Sequence, residues 1–185
     1  RLGFRREDFR HIEARVHGPQ GRVDWHDFDV PAGGDEPDPA SNPKYAHKLA
    51  CVEEETRWFA QRENNRTILV CDLNIAPLKH DVWSRKQLLK IVSHTPVETA
   101  GLESWRQTAF VDAMRHFVPP EEKLYTWWSY RNRDWKKSDR GRRLDHIWVT
   151  PDLVPELSAM RVLRDMRDWD SPSDHVPVVM DLAAP

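Results

Sequence analysis

Three short stretches of this 185-residue chain run a hydrophobic segment directly into acidic or amide side chains. In Ile68-Leu69-Val70-Cys71-Asp72-Leu73-Asn74, strand alternation points Asp72 and Asn74 to the same side. In Arg143-Leu144-Asp145-His146-Ile147-Trp148-Val149, Asp145 stands at the start of an apolar run. In Ser171-Pro172-Ser173-Asp174-His175-Val176-Pro177-Val178, a polar loop delivers Asp174 and His175 just before another apolar run. Each has a bland reading. Asp and Asn at strand ends cap turns, Asp145 can pair with Arg142 or Arg143 at little energetic consequence, and a lone histidine is usually a surface one.

The set as a whole is what hydrolysis of a phosphodiester needs. Negative charge grows on the phosphorus centre and on the departing oxygen, so hard cations and hydrogen-bond donors belong there. Magnesium takes carboxylate and carbonyl oxygens and keeps several waters, so few protein ligands suffice. The attacking water needs an acceptor for its proton. A histidine held by a carboxylate can be that base, or a cation beside the phosphate.

The elements that must position these groups are readable in outline. Residues 11–17 and 22–30 read as two strands joined by a turn at 18–21. The loop at 31–43 is rich in Pro, Gly and Asp and is irregular. Tyr45, Leu49, Val52 and Phe59 then recur at helical spacing, behind a start signal at Asn42-Pro43. Residues 67–70 form a compact buried strand, helices are expected at 84–91, 96–107 and 111–117, and strands at 144–150, 160–163 and 176–182. Strands interrupted by helices, with at least one hairpin, give a mixed α/β sheet protein. No repeat or interior linker is visible, so residues 1–185 read as one domain.

Composition narrows the class. The chain is 39% hydrophobic and 31% charged with mixed signs, which suits a soluble globular domain. No run of about 18 apolar residues is present to span a membrane, and no secretory signal opens the chain. Cys51 and Cys71 fit no metal pattern and read as free thiols of a reducing, cytoplasmic protein. A net charge of −2 leaves nucleic-acid contact to a local patch. One exists: from Tyr130 to Arg143 there are seven basic residues against two acidic ones, a local charge of about +5. Cations of this kind neutralise backbone phosphates without reading sequence, and interleaved aromatics can stack on bases.

These motifs resemble the exonuclease III branch of the exonuclease-endonuclease-phosphatase superfamily. Residues 71–77, CDLNIAP, are similar to its GDxNxxP signature, and 125–131 with 140–146 to its YTWWxYR and GxRxDH block. Residues 172–178 resemble its terminal PSDHxPV, and 28–34 a further loop. The matches run in family order from about residue 11 to residue 182. The resemblance implies a DNase I-like four-layered α/β sandwich, two packed mixed sheets flanked by helices. It implies catalytic roles for Asp72, Asn74, Asp145 and His175, with Asp145 behind the His175 ring. It also implies a Mg²⁺ site, open to Mn²⁺, built from Asp72, Asn74, Asp174 and His175, and DNA contacts from Trp127, Tyr130, Arg131, Arg140 and Arg142. Trp128 is as readily core. The implied activity is DNA repair: 3′→5′ exodeoxyribonuclease and abasic-site endonuclease action on duplex DNA by a monomer, away from membranes.

The chain departs from the pattern in three ways. The family's N-terminal third, with a strand-end Asn and a metal-binding Glu, has no counterpart, so the chain is expected to be the C-terminal two-thirds. Asp29 stands where a Tyr is usual and Asp27 where an Asn is usual, and Cys71 replaces a Gly, where its Cβ is expected to crowd the strand end. The alternatives are a catalytically inactive DNA-binding remnant, or a related phosphodiesterase or phosphatase acting on an inositol or lipid phosphate.

Overall fold

The sheet order follows from how its strands are joined. In the computed structural model, which describes residues 10–18, 21–132 and 134–183, strands β1 (His11–Gly18) and β2 (Gly21–Asp29) pair antiparallel. Pro19 and Gln20 of the expected turn lie outside the described residues. Strand β3 (Thr67–Asp72) lies parallel to β2, so the chain must cross over, and helix α1 (Pro43–Ala60) carries it. The helix starts where Asn42 accepts hydrogen bonds from the amides of Lys44 and Tyr45, with Pro43 in the first turn.

A single turn, α2 (Arg85–Leu88), precedes helix α3 (Pro96–Ala109). Thr95 and Glu98 cap α3 reciprocally. The segments expected to be helical at 84–91 and 111–117 are shorter than read. Val111–Asp112 form strand β4, and the Asp112 side chain accepts from the Arg115 amide to start α4 (Ala113–Phe117). A small ribbon, β5 (Trp127–Trp128) with β6 (Gly141–Arg142), flanks the one-turn helix α5 (Trp135–Ser138). Strand β7 (Asp145–Val149) then runs antiparallel to β3 and β4, which completes the order β1-β2-β3-β7-β4.

Each face of this sheet has its own core. Against α1 and α3 lies an aromatic cluster of Phe28, Phe59, Trp105, Phe110 and Trp148. On the other face, β8 (Leu157–Val162) and β9 (Val178–Leu182) form an antiparallel ribbon. Its Met160, Val162, Val178 and Met180 pack on Ile68, Ile147 and Val149. The expected class is therefore present: a mixed α/β fold with helices outside and two packed sheets. A cleft of about 870 Å³ remains between the sheets, lined by Trp25, Val70, Trp169 and Met180 among others. Among the described residues no helix is long and apolar enough to cross a membrane.

Buried charges tie the loops to this frame. Arg143 is fully buried and pairs with Asp81 at 2.9 Å and Asp112 at 2.7 Å, while Arg115 shares the same Asp81 oxygen. Removing one partner of such a system strands the other charges in low dielectric. Arg143→Ala is expected to cost about 3–5 kcal/mol in urea unfolding, against well under 1 kcal/mol for the exposed Arg57→Ala.

Candidate active site at the strand ends

Three neighbouring strands end on carboxylates in register: Asp29 of β2 opposite Asp72 of β3, and Asp72 opposite Asp145 of β7. Like charges directly opposite one another are unfavourable in a sheet, so each needs a compensating contact. Asp29 takes Arg10 at 2.5 Å. Asp145 takes His175, whose Nδ1 lies 2.9 Å from Oδ2 and 3.1 Å from Oδ1. Asp145 is thus paired with neither Arg142 nor Arg143.

Asp72 is the least compensated of the three. Burial first, and then the Asp145 charge, push its carboxyl up to about 6, while His175 and the Asn74 amide pull the other way. Asn74 sits in the left-handed region at φ 51°, a conformation that Asn adopts more readily than most residues. From there its backbone N–H donates to Asp72 Oδ1 and its side-chain amide donates to Asp72 Oδ2, both at 3.0 Å. The side-chain amide also donates to the Val30 carbonyl. Asn74 meets Asp72 through this turn, not through the strand pleat that alternation suggested. Cys71 is buried within the aromatic core cluster, as is Cys51, and neither forms a disulfide.

The His175 ring is delivered by a loop stitched to the β5 region. The Val176 and Trp128 amides donate to the Thr126 and Asp174 carbonyls, and the Tyr130 hydroxyl donates to the Pro172 carbonyl. Burial alone would lower the His175 pKa, but the hydrogen bond and charge of Asp145, with Asp72 and Asp174 nearby, leave it raised. Its Nε2 stands 3.8 Å from Asp72 Oδ2, so the ring lies between the two carboxylates. His146 next door does a different job. Burial drives its pKa down to about 4, and the neutral ring's Nε2 is 2.8 Å from the Ile75 carbonyl, fixing the turn after Asn74.

Asp72, Asp145 and His175 each offer a donor atom within 4.8 Å of the other two. Hard carboxylate oxygens of this kind, one of them destabilised by its neighbour, fit a divalent cation such as magnesium. Asp174 and Asn74 line the same cleft, but Asp174 is already held by the Trp127 indole N–H at 2.9 Å. The sequence alone does not show that Trp127 supports Asp174.

That cleft, about 820 Å³, is lined by Trp83, Trp127, Tyr130, Arg131, Arg140 and Arg142 on one side. The basic run is not one solvated face. Arg143 is turned into the core, Lys136 pairs with Asp168, and Arg142 bonds the Val92 carbonyl and Ser93 hydroxyl while stacking on Trp127. Arg140 lies over Trp83, a cleft residue missed in the sequence because no motif marks it. Trp128 is core, as one reading allowed.

Asp72, Asn74, Asp145 and the Asp145-held His175 thus meet at one end of the central sheet of an α/β sandwich. Comparison with known proteins is more specific. No protein-family model matches the chain. It is 27% identical over 146 residues to exodeoxyribonuclease III of Haemophilus influenzae, covering 76% of this chain and 52% of that protein. It is 26% identical over 133 residues to an exodeoxyribonuclease of Bacillus subtilis, covering 71% and 51%. An AP endonuclease structure from Archaeoglobus fulgidus superposes with a TM-score of 0.86 at 26% identity, covering 96% of this chain and 66% of that one. A 3′ phosphatase from Neisseria bound to product DNA hairpin gives 0.82 at 26%, covering 100% and 69%. The chain is therefore a homologue of the exodeoxyribonuclease III and AP endonuclease proteins and has their fold. It spans about half the length of the curated relatives it matches.

The raised Asp72 has a thermodynamic consequence. A carboxyl whose folded pKa exceeds its unfolded value binds its proton more tightly in the native state, so stability falls as pH rises between about 4 and 6. Asp72→Asn, uncharged throughout, is expected to melt higher than wild type at pH 7.5 by about 1–2 kcal/mol of stability, with the difference vanishing below pH ~4. Thermal melts of both proteins across that range check it.

Proposed function

We propose that the chain carries the hydrolytic centre of a Mg²⁺-dependent DNA phosphodiesterase, with 3′→5′ exodeoxyribonuclease and abasic-site endonuclease activity in DNA repair. The observation that carries this reading is the perturbed Asp72 beside the Asp145-held His175, with Asp72 and His175 both lining a cleft that also holds guanidinium groups and indoles. Its sequence and fold relatives act on DNA, as their names state.

The residues divide the work. Arg131 and Arg140 meet backbone phosphates, while Trp127 and Tyr130 offer faces to a sugar or base. Asp145 fixes the His175 ring through Nδ1, which leaves Nε2 toward the cleft and the scissile phosphate. With its pKa raised by the hydrogen bond and charge of Asp145 against the opposing effect of burial, His175 can donate a hydrogen bond to a phosphate oxygen or accept the proton of a water. Asp72 has a pKa suited to exchanging a proton in either direction, with the attacking water or the leaving oxygen. Asn74 orients Asp72 from behind. A magnesium ion held by Asp72 with Asn74, Asp174 or His175 would supply charge neutralisation at the phosphate. Residues 1–185 are read as one domain working as a monomer, and two buried cysteines outside any disulfide suit a reducing cytoplasm.

The direct test is nicking of a duplex bearing one abasic analogue, and trimming of a 3′ end, with Mg²⁺ and with EDTA. Magnesium-dependent cleavage that Asp72→Asn and His175→Ala each reduce by at least about 100-fold is expected. Duplex binding without turnover would make the chain a DNA-binding remnant. Turnover only of inositol or lipid phosphates would move the substrate class.

Binding gives a separate check. Arg131→Ala and Arg140→Ala should each weaken duplex affinity whatever the sequence, and lower the slope of log K against log salt by about 1. Fluorescence anisotropy at several salt concentrations reads both quantities.

A further inference from the structure

The least expected group near the site is a lysine with no solvent exposure. Lys48 sits on the inner face of α1, with its ammonium 2.5 Å from Glu98 of α3. It also donates to the Asn74 carbonyl at 2.8 Å and to the Ala32 carbonyl at 3.3 Å. An ammonium has three protons, and here three acceptors take them. Two of those acceptors are backbone carbonyls of the turns that follow β2 and β3, and both turns line the DNA-facing cleft.

We infer that Lys48 is a positioning residue, pinning the backbone of Asn74 and through it the Asp72 carboxylate. The inference rests on the reading of Asp72 and Asn74 as the reactive pair. Three observations support it. Glu98 is independently fixed, accepting from the Ser93 and Thr95 amides and the Thr95 hydroxyl, so it is a rigid mount for the lysine. Asn74 holds its left-handed φ of 51° while its two ends serve different partners: the carbonyl bonds Lys48, and the N–H and side chain bond Asp72. The stem of the lysine also has space kept for it. A Cβ added at Gly33, at φ +89°, would come 2.8 Å from Lys48 Cδ.

The rival is a purely structural ion pair, for which removing both charges together is close to neutral. The two roles separate in Lys48→Met/Glu98→Gln. For a positioning residue, the double variant melts near wild type, but kcat for duplex nicking falls about 100-fold with KM unchanged, and the Asn74 amide resonance moves. Glu98→Gln alone, which leaves both lysine–carbonyl bonds in place, keeps kcat within about threefold. Wild-type kcat in the double variant, or a fall in kcat with the Asn74 resonance unmoved, overturns the inference. If wild-type chain does not nick DNA at all, the proposed function fails, and the Asn74 resonance alone decides Lys48. A double variant that does not fold leaves the wild-type protein to decide. There, a through-hydrogen-bond coupling between Lys48 Nζ and the Asn74 carbonyl carbon is expected, and its absence overturns the inference.

Discussion

The site is organised by a repulsion. Register places Asp29, Asp72 and Asp145 at the ends of three adjacent strands, where like charges should push the strands apart. The fold absorbs this by giving the outer two a close cation or histidine, and leaving the middle one with two hydrogen bonds and a more distant His175 ring. Asp72 accepts two bonds from Asn74 and stands 3.8 Å from His175, yet its carboxyl remains near 6. A group in that state holds or releases a proton near neutral pH and would gain from a nearby cation. The electrostatic cost and the chemical usefulness have the same origin.

Holding such a centre open requires stiffness around it. The turns after β2 and β3 meet at Lys48, the turn after Asn74 meets His146, and the loop bearing His175 is tied to residues 126–130. Farther back, Arg143 anchors Asp81 and Asp112. These are buried polar contacts with specific partners, which is where a core gives up simple hydrophobic packing to define one geometry. The aromatic cluster on the helix face provides the bulk stability behind them.

Much of the fold was legible in the sequence because its signals are local. The apolar run at 67–70, the helical spacing of Tyr45, Val52 and Phe59, and the strand-end motifs at Asp72, Asp145 and His175 each show within a few residues. What was not legible depends on partners far along the chain. Lys48 reads as one more polar helix residue until Glu98, 50 positions away, is brought against it. Val111–Asp112 read as helix because pairing with β7 overrides the local pattern. The basic run looked like one surface, but Arg143 finds buried carboxylates and Arg142 finds a carbonyl and a hydroxyl, which leaves only part of it facing the cleft. Asp72, Asp145 and His175, singled out by type and spacing, do come together, and their supports were not readable because support is a tertiary property.

The most direct measurement of the central claim, that burial and a neighbouring carboxylate load Asp72 for metal-assisted chemistry, is a carbon-13 titration of its carboxyl with and without Mg²⁺. A midpoint near 6 that falls on adding Mg²⁺ is the result this geometry requires. An ordinary midpoint of about 4, indifferent to Mg²⁺, would contradict it.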